Sequence, residues 1–540
     1  MKTLLLAAAL LLAAPAHAQT CALHASKAPD AKATRLAGLG NLHHAVTASP
    51  AAQAWFDQGL RLTYAFNHDA AVRSFQEAAR VDPSCAMCFW GVGLALGPNI
   101  NMPMGAEART QAATSVKQAE FLATKGNPAE RAWIAALQTR YTGKPTADAD
   151  YAAAMTALAA VYPKDADAQT LLGEALLDLR PWDQWTHDGK PQPGTLDAVA
   201  AFDRAHALDP DHPGAHHFRI HALEGSLHPE QALSDAVALP KLMPGAGHLV
   251  HMPAHIFMRL GRYADASAAN DAAIQVDEKY LAQTHAQGTY AAMYVAHNFA
   301  FLWVSALMEG NRDRSLRAAR GLVAHLPLEE VRAIKKEAPT IDFMLAAPLL
   351  VMVRFQMWKE LLAEPALPAD LTYLSGVGHF ARAMALAALK EKAASKKEQA
   401  LFDAFVASVP QTDAMGPANP ARDVLEVAQA QLQGDLARLS GDLAGAVEPL
   451  RRATKLQDAL HYDEPAPWPL FARVDLGEAL LGLHQASEAA EVARADLHEN
   501  PENGWALSVL WRAQQASRAP DAQAVHQRLL RVWPSAKVPR

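Results

Sequence analysis

The chain has 540 residues, a formal charge of −7 with acidic and basic residues interleaved, and 51% hydrophobic residues. That balance lacks the clustered basic footprint of a nucleic-acid binder or of a protein drawn to an anionic membrane, so no nucleic-acid partner is expected. Ala and Leu dominate, 34 Pro and 29 Gly punctuate the chain, and β-branched runs are few, which together predict many short helices, no strand and one long all-α solenoid.

The first element in chain order is an export signal. Lys2 precedes an apolar run from Leu4 to Ala14, and Ala16-His17-Ala18 supplies a small-x-small cleavage site, so residues 1–18 are expected to be removed near Ala18 and the mature chain to be periplasmic or secreted. Thr20 is a poor residue before a lipid-modified cysteine, which disfavours an anchor on Cys21. The longest later apolar run, Phe343 to Val353, is shorter than the roughly 18 residues of a membrane span and contains Pro348, so no span is expected.

Internal repetition begins at residue 55. Gly59, Ala71, Phe75, Ala78 and Pro83 are spaced so that two helices can approach closely at Gly59 and Ala71, fill their seam with Phe75 and Ala78, and stop at Pro83. Gly93 follows Gly59 by 34 residues, and Ala198, Phe202, Ala205 and Pro210 repeat the internal spacing of the quartet. Weaker units surround Leu172-Gly173, Gly261 to Ala273, Gly310 to Ala319, Gly441 to Ala453 and Leu476 to Pro501. Insertions at Gly97 to Gly105, Pro181 to Gly194, Leu326 to Thr340, Val409 to Arg422 and His461 to Pro469 are rich in Pro, Gly or polar residues and are expected to be loops. The array is divided into residues 19–325, which carry a His-rich groove, and residues 341–540. Cys85 and Cys88 form a C-x-x-C pair for which a local disulfide, packed thiols and metal or redox chemistry all stand open.

The most informative stretch holds eight histidines between His212 and His255. His217, His221 and Glu224 share one helical face, and His248, His251 and His255 repeat the arrangement, so each triplet offers ligands for one metal ion. His251 follows His217, and His255 follows His221, by one repeat of 34 residues, which places the two pairs on neighbouring first helices. His297 opens the first helix of the next unit and is the further candidate ligand. Pro253 interrupts the second triplet: it lacks an amide and biases Met252 toward extended backbone, so His248 and His251 are expected on an approach loop. His206, His228 and His43-His44 are expected to be ordinary hydrogen-bonding residues.

The repeat spacing, with Trp55 before it and Gln58 and Leu62 departing from the usual Leu and Tyr, resembles the tetratricopeptide repeat family. Phe56-Asp57-Gln58-Gly59 with Phe66-Asn67-His68, Gly97-Pro98-Asn99-Ile100-Asn101 (GPNIN) and Met243 to His255 (MPGAGHLVHMPAH) resemble an exported bacterial group of that family. The resemblance implies a curved superhelix whose concave groove holds a peptide or an envelope protein, and it implies no particular reaction.

Two functions therefore stand side by side. In one, a transition metal in the groove is held by His217, His221, Glu224, His248, His251, His255 and His297, and activates water or dioxygen with Glu224 as ligand or catalytic base. Nitrogen ligands disfavour calcium and magnesium, and methionines 87, 102, 104, 243, 252 and 258 nearby favour copper over zinc, with iron and manganese behind. In the other, the groove is a scaffold for a peptide or envelope partner without metal. The chain lacks H-E-x-x-H, G-x-S-x-G, phosphate-loop and dinucleotide motifs. Trp468 and the Arg354-Phe355-x-x-Trp358 segment are read as packing residues at bends.

Overall fold

The computed structural model describes residues 33–123 and 127–533. The expected signal peptide and Cys21 lie outside them. The described chain is a tetratricopeptide-like helix–turn–helix solenoid in which each helix packs chiefly on its chain neighbours and on the next helix but one. Pro50–Tyr64 and His68–Val81 form the first pair, joined by a turn too short for anything but antiparallel packing.

The repeat positions do what their side chains dictate. Phe75 and Phe202 are fully buried, and each fills a seam that exists only because glycine faces it. A Cβ on Gly59 would stand 2.8 Å from the Phe75 ring, and one on Gly173 would stand 2.3 Å from the ring of Phe202. Each of these rings, taken out of water among well-packed neighbours, is of the type whose truncation costs about 3–5 kcal/mol.

Two expectations are corrected. Leu326 to Thr340 is not a simple loop, because Leu328–Ile334 is helical there and Ile341–Ala346 forms a 3-10 turn. The absence of strand fails at Val409 to Arg422, where Ala414–Met415 pairs antiparallel with Asn419–Pro420. Tyr290–Met308 has the length and hydropathy to cross a membrane, yet 72% of its most apolar window is buried inside the protein. Its apolar surface is matched by other helices rather than left for lipid. The loops predicted at Gly97 to Gly105, Pro181 to Gly194 and His461 to Pro469 fall between helices. Cys85 and Cys88 are joined as a disulfide, Cα to Cα 5.4 Å.

The array does not stay open. Pro50–Tyr64 packs on Pro213–Leu223, far along the chain. From the other end, the Trp505 and Trp533 indoles donate to the carbonyls of Leu307 and Met308, and the Tyr263 hydroxyl donates to that of Pro501. Both ends thus close on the middle helices, and two large apolar clusters, one spanning Leu39 to Val295 and the other Tyr263 to Trp533, meet there. Side chains facing inward from the middle helices are consequently enclosed.

Candidate metal centre

Four short elements carry the histidines. Pro213–Leu223 begins with proline at its first turn, where the missing amide costs nothing, and runs through His217 and His221 to Glu224, which keeps helical backbone at the C-cap. Gly247–His251 and Pro253–Arg259 follow. Met252 between them has φ −50° and ψ −34°, so the expected extended approach loop is absent and helical geometry carries through the proline. The packing of both short helices on Tyr263–Thr284 overrides the local bias. His251 and His255 therefore keep their four-residue spacing on one face. A π-helical segment, Tyr290–Val295, then leads into Ala296–Met308 and delivers His297.

The start of Gly247–His251 is pinned from below. The Tyr290 hydroxyl donates to Asp277 Oδ1 at 2.8 Å and accepts from the His248 amide at 3.2 Å. Burial pushes Asp277 up to about 7, against the hydrogen bonds from Tyr290 and Asn298. A Cβ at Gly247 would lie 1.9 Å from that carboxylate, which is why the PGAG segment ends in glycine before His248.

The six histidines converge as two groups of three, and the grouping differs from the expected triplets. His217 Nε2 lies 3.1 Å from His221 Nε2 and 3.1 Å from His248 Nε2. His251 Nε2 lies 2.8 Å from His255 Nε2, and His297 completes that group with ring centroids 4.8 Å from His251 and 5.7 Å from His255. Each pair from one repeat is completed by a histidine of the next, because a residue at the start of a first helix reaches backward across the seam to its neighbour. His217, His221, His248, His251 and His255 are 0–2% exposed, whereas His297 keeps some exposure. The expected open groove wall is an enclosed chamber.

Its lining is aromatic. Phe66 packs on His217, His221 and His248 with centroids 4.5–5.7 Å away, and Phe301 packs on His251, His255 and His297 at 4.6–5.0 Å. Trp182, with φ +60° in the left-handed region, stands edge-on to His221 and stacks on Tyr462, so the loops at 181–194 and 461–469 cover one side. His68, from the Phe66-Asn67-His68 motif, is half-buried beside Phe66, and desolvation lowers it to about 4.

The outward nitrogens fix the tautomers. His217 Nδ1 faces the Tyr64 carbonyl at 2.7 Å, and His221 Nδ1 faces Glu224 Oε1 at 2.9 Å. His251 Nδ1 faces Asn270 Oδ1 at 2.6 Å, an orientation set because Asn270 Nδ2 donates to the Ala266 carbonyl. All three partners only accept, so all three Nδ1 atoms carry hydrogen, and a ring with that single hydrogen presents a bare Nε2 lone pair inward. His255 Nδ1 sits 2.7 Å from Glu224 Oε2 and 2.9 Å from Glu464 Oε2, off the ideal hydrogen-bond line to either.

Electrostatics follow this wiring. Burial opposes ionisation of Glu224, but His255 and His221 outweigh it and hold the carboxyl at about 2. Burial lowers His217, His248 and His251 well below the usual range, reinforced by neighbouring imidazoles, and takes His297 to about 3. Burial also works against a charged His255, yet Glu224 and Glu464 raise it to about 10. Glu464 is pushed up to about 7 by burial, against the pull of His255.

Glu464 is the functional side chain that sequence reasoning missed. Its segment, His461-Tyr462-Asp463-Glu464, lies in an insertion whose composition predicts only a loop; the available signal is two adjacent carboxylates beside aromatic residues and proline. Trp468 in the same segment is fully buried with its indole on Gln431, so the packing reading holds for that residue.

Other histidine groups are wired differently. Asp167 accepts from His44 Nδ1, His212 Nε2 and the Tyr64 hydroxyl at 2.6–3.0 Å. Burial opposes its charge, but the His212 and His44 hydrogen bonds hold it far below the usual carboxylate range. His206, His216 and Asp235 cluster as well, with the Arg219 guanidinium 2.6 Å from Asp235 supplying the cation. His43 and His228 contact Asp57 and Glu230.

No protein-family model matches the chain, and no curated protein matches it in sequence. Among solved structures it is similar to the human IFIT1 dimer with m7Gppp-AAAA, at 14% identity over 79% of this chain and 87% of that one, TM-score 0.35. It is similar also to the APC/C hetero-tetramer Cut9-Hcn1, at 13% identity over 90% and 74%, TM-score 0.32, and to yeast Tom70, at 11% over 88% and 99%, TM-score 0.28. The chemistry of the site rests on its own geometry.

Proposed function

We propose that this is an exported helical-repeat metalloprotein whose enclosed histidine chamber holds a transition metal for catalysis or for copper or zinc handling. One observation carries the reading: His217 and His221, each with its proton committed outward, point bare Nε2 atoms at each other across 3.1 Å. A buried acceptor left unpaired costs about 1–3 kcal/mol, and two facing lone pairs add repulsion, so a cation belongs in the gap. A proton bridges one pair; three converging nitrogens call for a metal. Ligands about 2.0 Å from a tetrahedral ion stand roughly 3.3 Å apart, close to the separations here.

The site favours copper or zinc over calcium or magnesium because its inward atoms are imidazole nitrogens. Glu224 acts as a positioning residue: its Oε1 accepts from His221 Nδ1 and its Oε2 lies 2.7 Å from His255 Nδ1. The enclosure of the histidines also argues against direct contact with a groove-bound peptide.

Elemental analysis of protein purified from its export compartment tests this. Near-stoichiometric metal is expected, lost in His221→Ala and His255→Ala. Protein that is metal-free as isolated and takes up no copper, zinc, iron or manganese on reconstitution would overturn the reading and leave the scaffold function standing.

A further inference from the structure

The two triads adjoin. His221 and His255 have ring centroids 5.6 Å apart, and His248 and His251 are 5.7 Å apart, so the groups share a boundary rather than occupying separate pockets. Glu224 ties one histidine of each group to a single carboxylate. Phe66 packs on all three rings of one triad and Phe301 on all three rings of the other. From this arrangement, and resting on the metalloprotein reading above, we propose that the centre is binuclear, with one copper ion in each triad and dioxygen taken between them.

Charge and ligand type support copper in particular. Bound to metal, all six inward imidazoles act as neutral ligands, His255 giving up the proton that Glu224 and Glu464 otherwise favour, so two cuprous ions bring two positive charges beside the carboxylates of Glu224 and Glu464 at the outer edge. Two divalent zinc ions would bring four charges into a chamber lined by phenyl rings. Three imidazoles leave a cuprous ion coordinatively open, and a dry aromatic chamber protects such a pair from water. On binding dioxygen, each cuprous ion gives one electron. Two cupric ions and a bound peroxide dianion result, with no proton consumed and no outside reductant required.

The test loads chelator-stripped full-length protein with cuprous ion under anaerobic conditions, measures copper per chain, and then admits air. Two copper ions per chain are expected, with uptake of one dioxygen per pair. The oxidised form should give almost no electron paramagnetic resonance, because the two cupric spins couple. His248→Gln and His297→Gln should each lower the content by one ion per chain and reveal the signal of an isolated cupric ion. One copper per chain in the unmodified protein, or two with full independent cupric signals, overturns the binuclear inference and leaves the proposed function intact. No metal of any kind overturns both. Two cuprous ions per chain that take up no dioxygen overturn the ligand assignment. Stoichiometry in the unmodified protein decides the matter even if a variant fails to fold.

Discussion

The six-histidine chamber and the Asp167 cluster are built from the same materials and wired in opposite senses. Around Asp167 the carboxylate is central, and His44, His212 and Tyr64 aim hydrogen at it. In the chamber the carboxylates are peripheral, and the imidazoles turn their hydrogens outward to Tyr64, Glu224 and Asn270. A region of the first kind is complete in itself; one of the second kind brings ring nitrogens together at its centre, where under the proposed function a cation would be held. The position of the proton separates a structural knot from a ligand site, even where burial and residue type agree.

Removing the central carboxylate should produce the largest effect. Asp167→Ala orphans three buried partners and is expected to cost about 3–5 kcal/mol of stability, equally with and without metal. Chemical denaturation in chelator and in copper checks it. A metal-dependent loss would erase the contrast between the two regions.

His221→Ala should do the reverse, with little stability change in chelator and the loss of a metal-linked gain of about 3 kcal/mol at free metal near 100 times Kd. If the variant is destabilised as strongly in chelator as in metal, the chamber is a hydrogen-bond knot like its neighbour. Glu464→Gln should be gentler, retaining metal with affinity weakened roughly 10–100-fold, as for other partners that orient a ligand from outside. Competition with a chromophoric chelator measures this.

The smallest effect concerns pH. Asp167 is depressed below its ordinary value of 3.8, so its contribution to stability is fully present above that value and is lost as pH falls through the folded-state value. The stability gap between the unmodified protein and Asp167→Asn should therefore narrow below about pH 4. A gap independent of pH would assign the Asp167 contribution to shape rather than charge.

Much of this contrast was readable along the chain, and the limits have physical causes. Phe75 and Phe202 announced their seams because repeats place identical packing problems at fixed spacing. The 34-residue offset of His217 from His251, and of His221 from His255, marked equivalent positions, and both pairs do bring their Nε2 atoms together. The regrouping of His248 and His297 was not legible, because spacing within a helix says nothing about which neighbour lies across a seam. Met252 shows a local preference overridden by packing. The enclosure depends on contacts such as Trp505 with Leu307, which join residues distant in sequence, and Glu464 was hidden for the same reason.

The place of Glu464 in the chain also sets a schedule. A polypeptide emerging from its amino end presents every histidine of the chamber long before the loop at 461–469 exists to cover them. Under the proposed function, an ion captured in that interval would sit in a partial coordination shell and exchange freely with its surroundings. Only when the last third of the chain folds back does the carboxylate reach His255 and the cover close. Under that reading, maturation of the centre would be coupled to completion of the polypeptide, and a truncated product would be left with a leaky, exchangeable site.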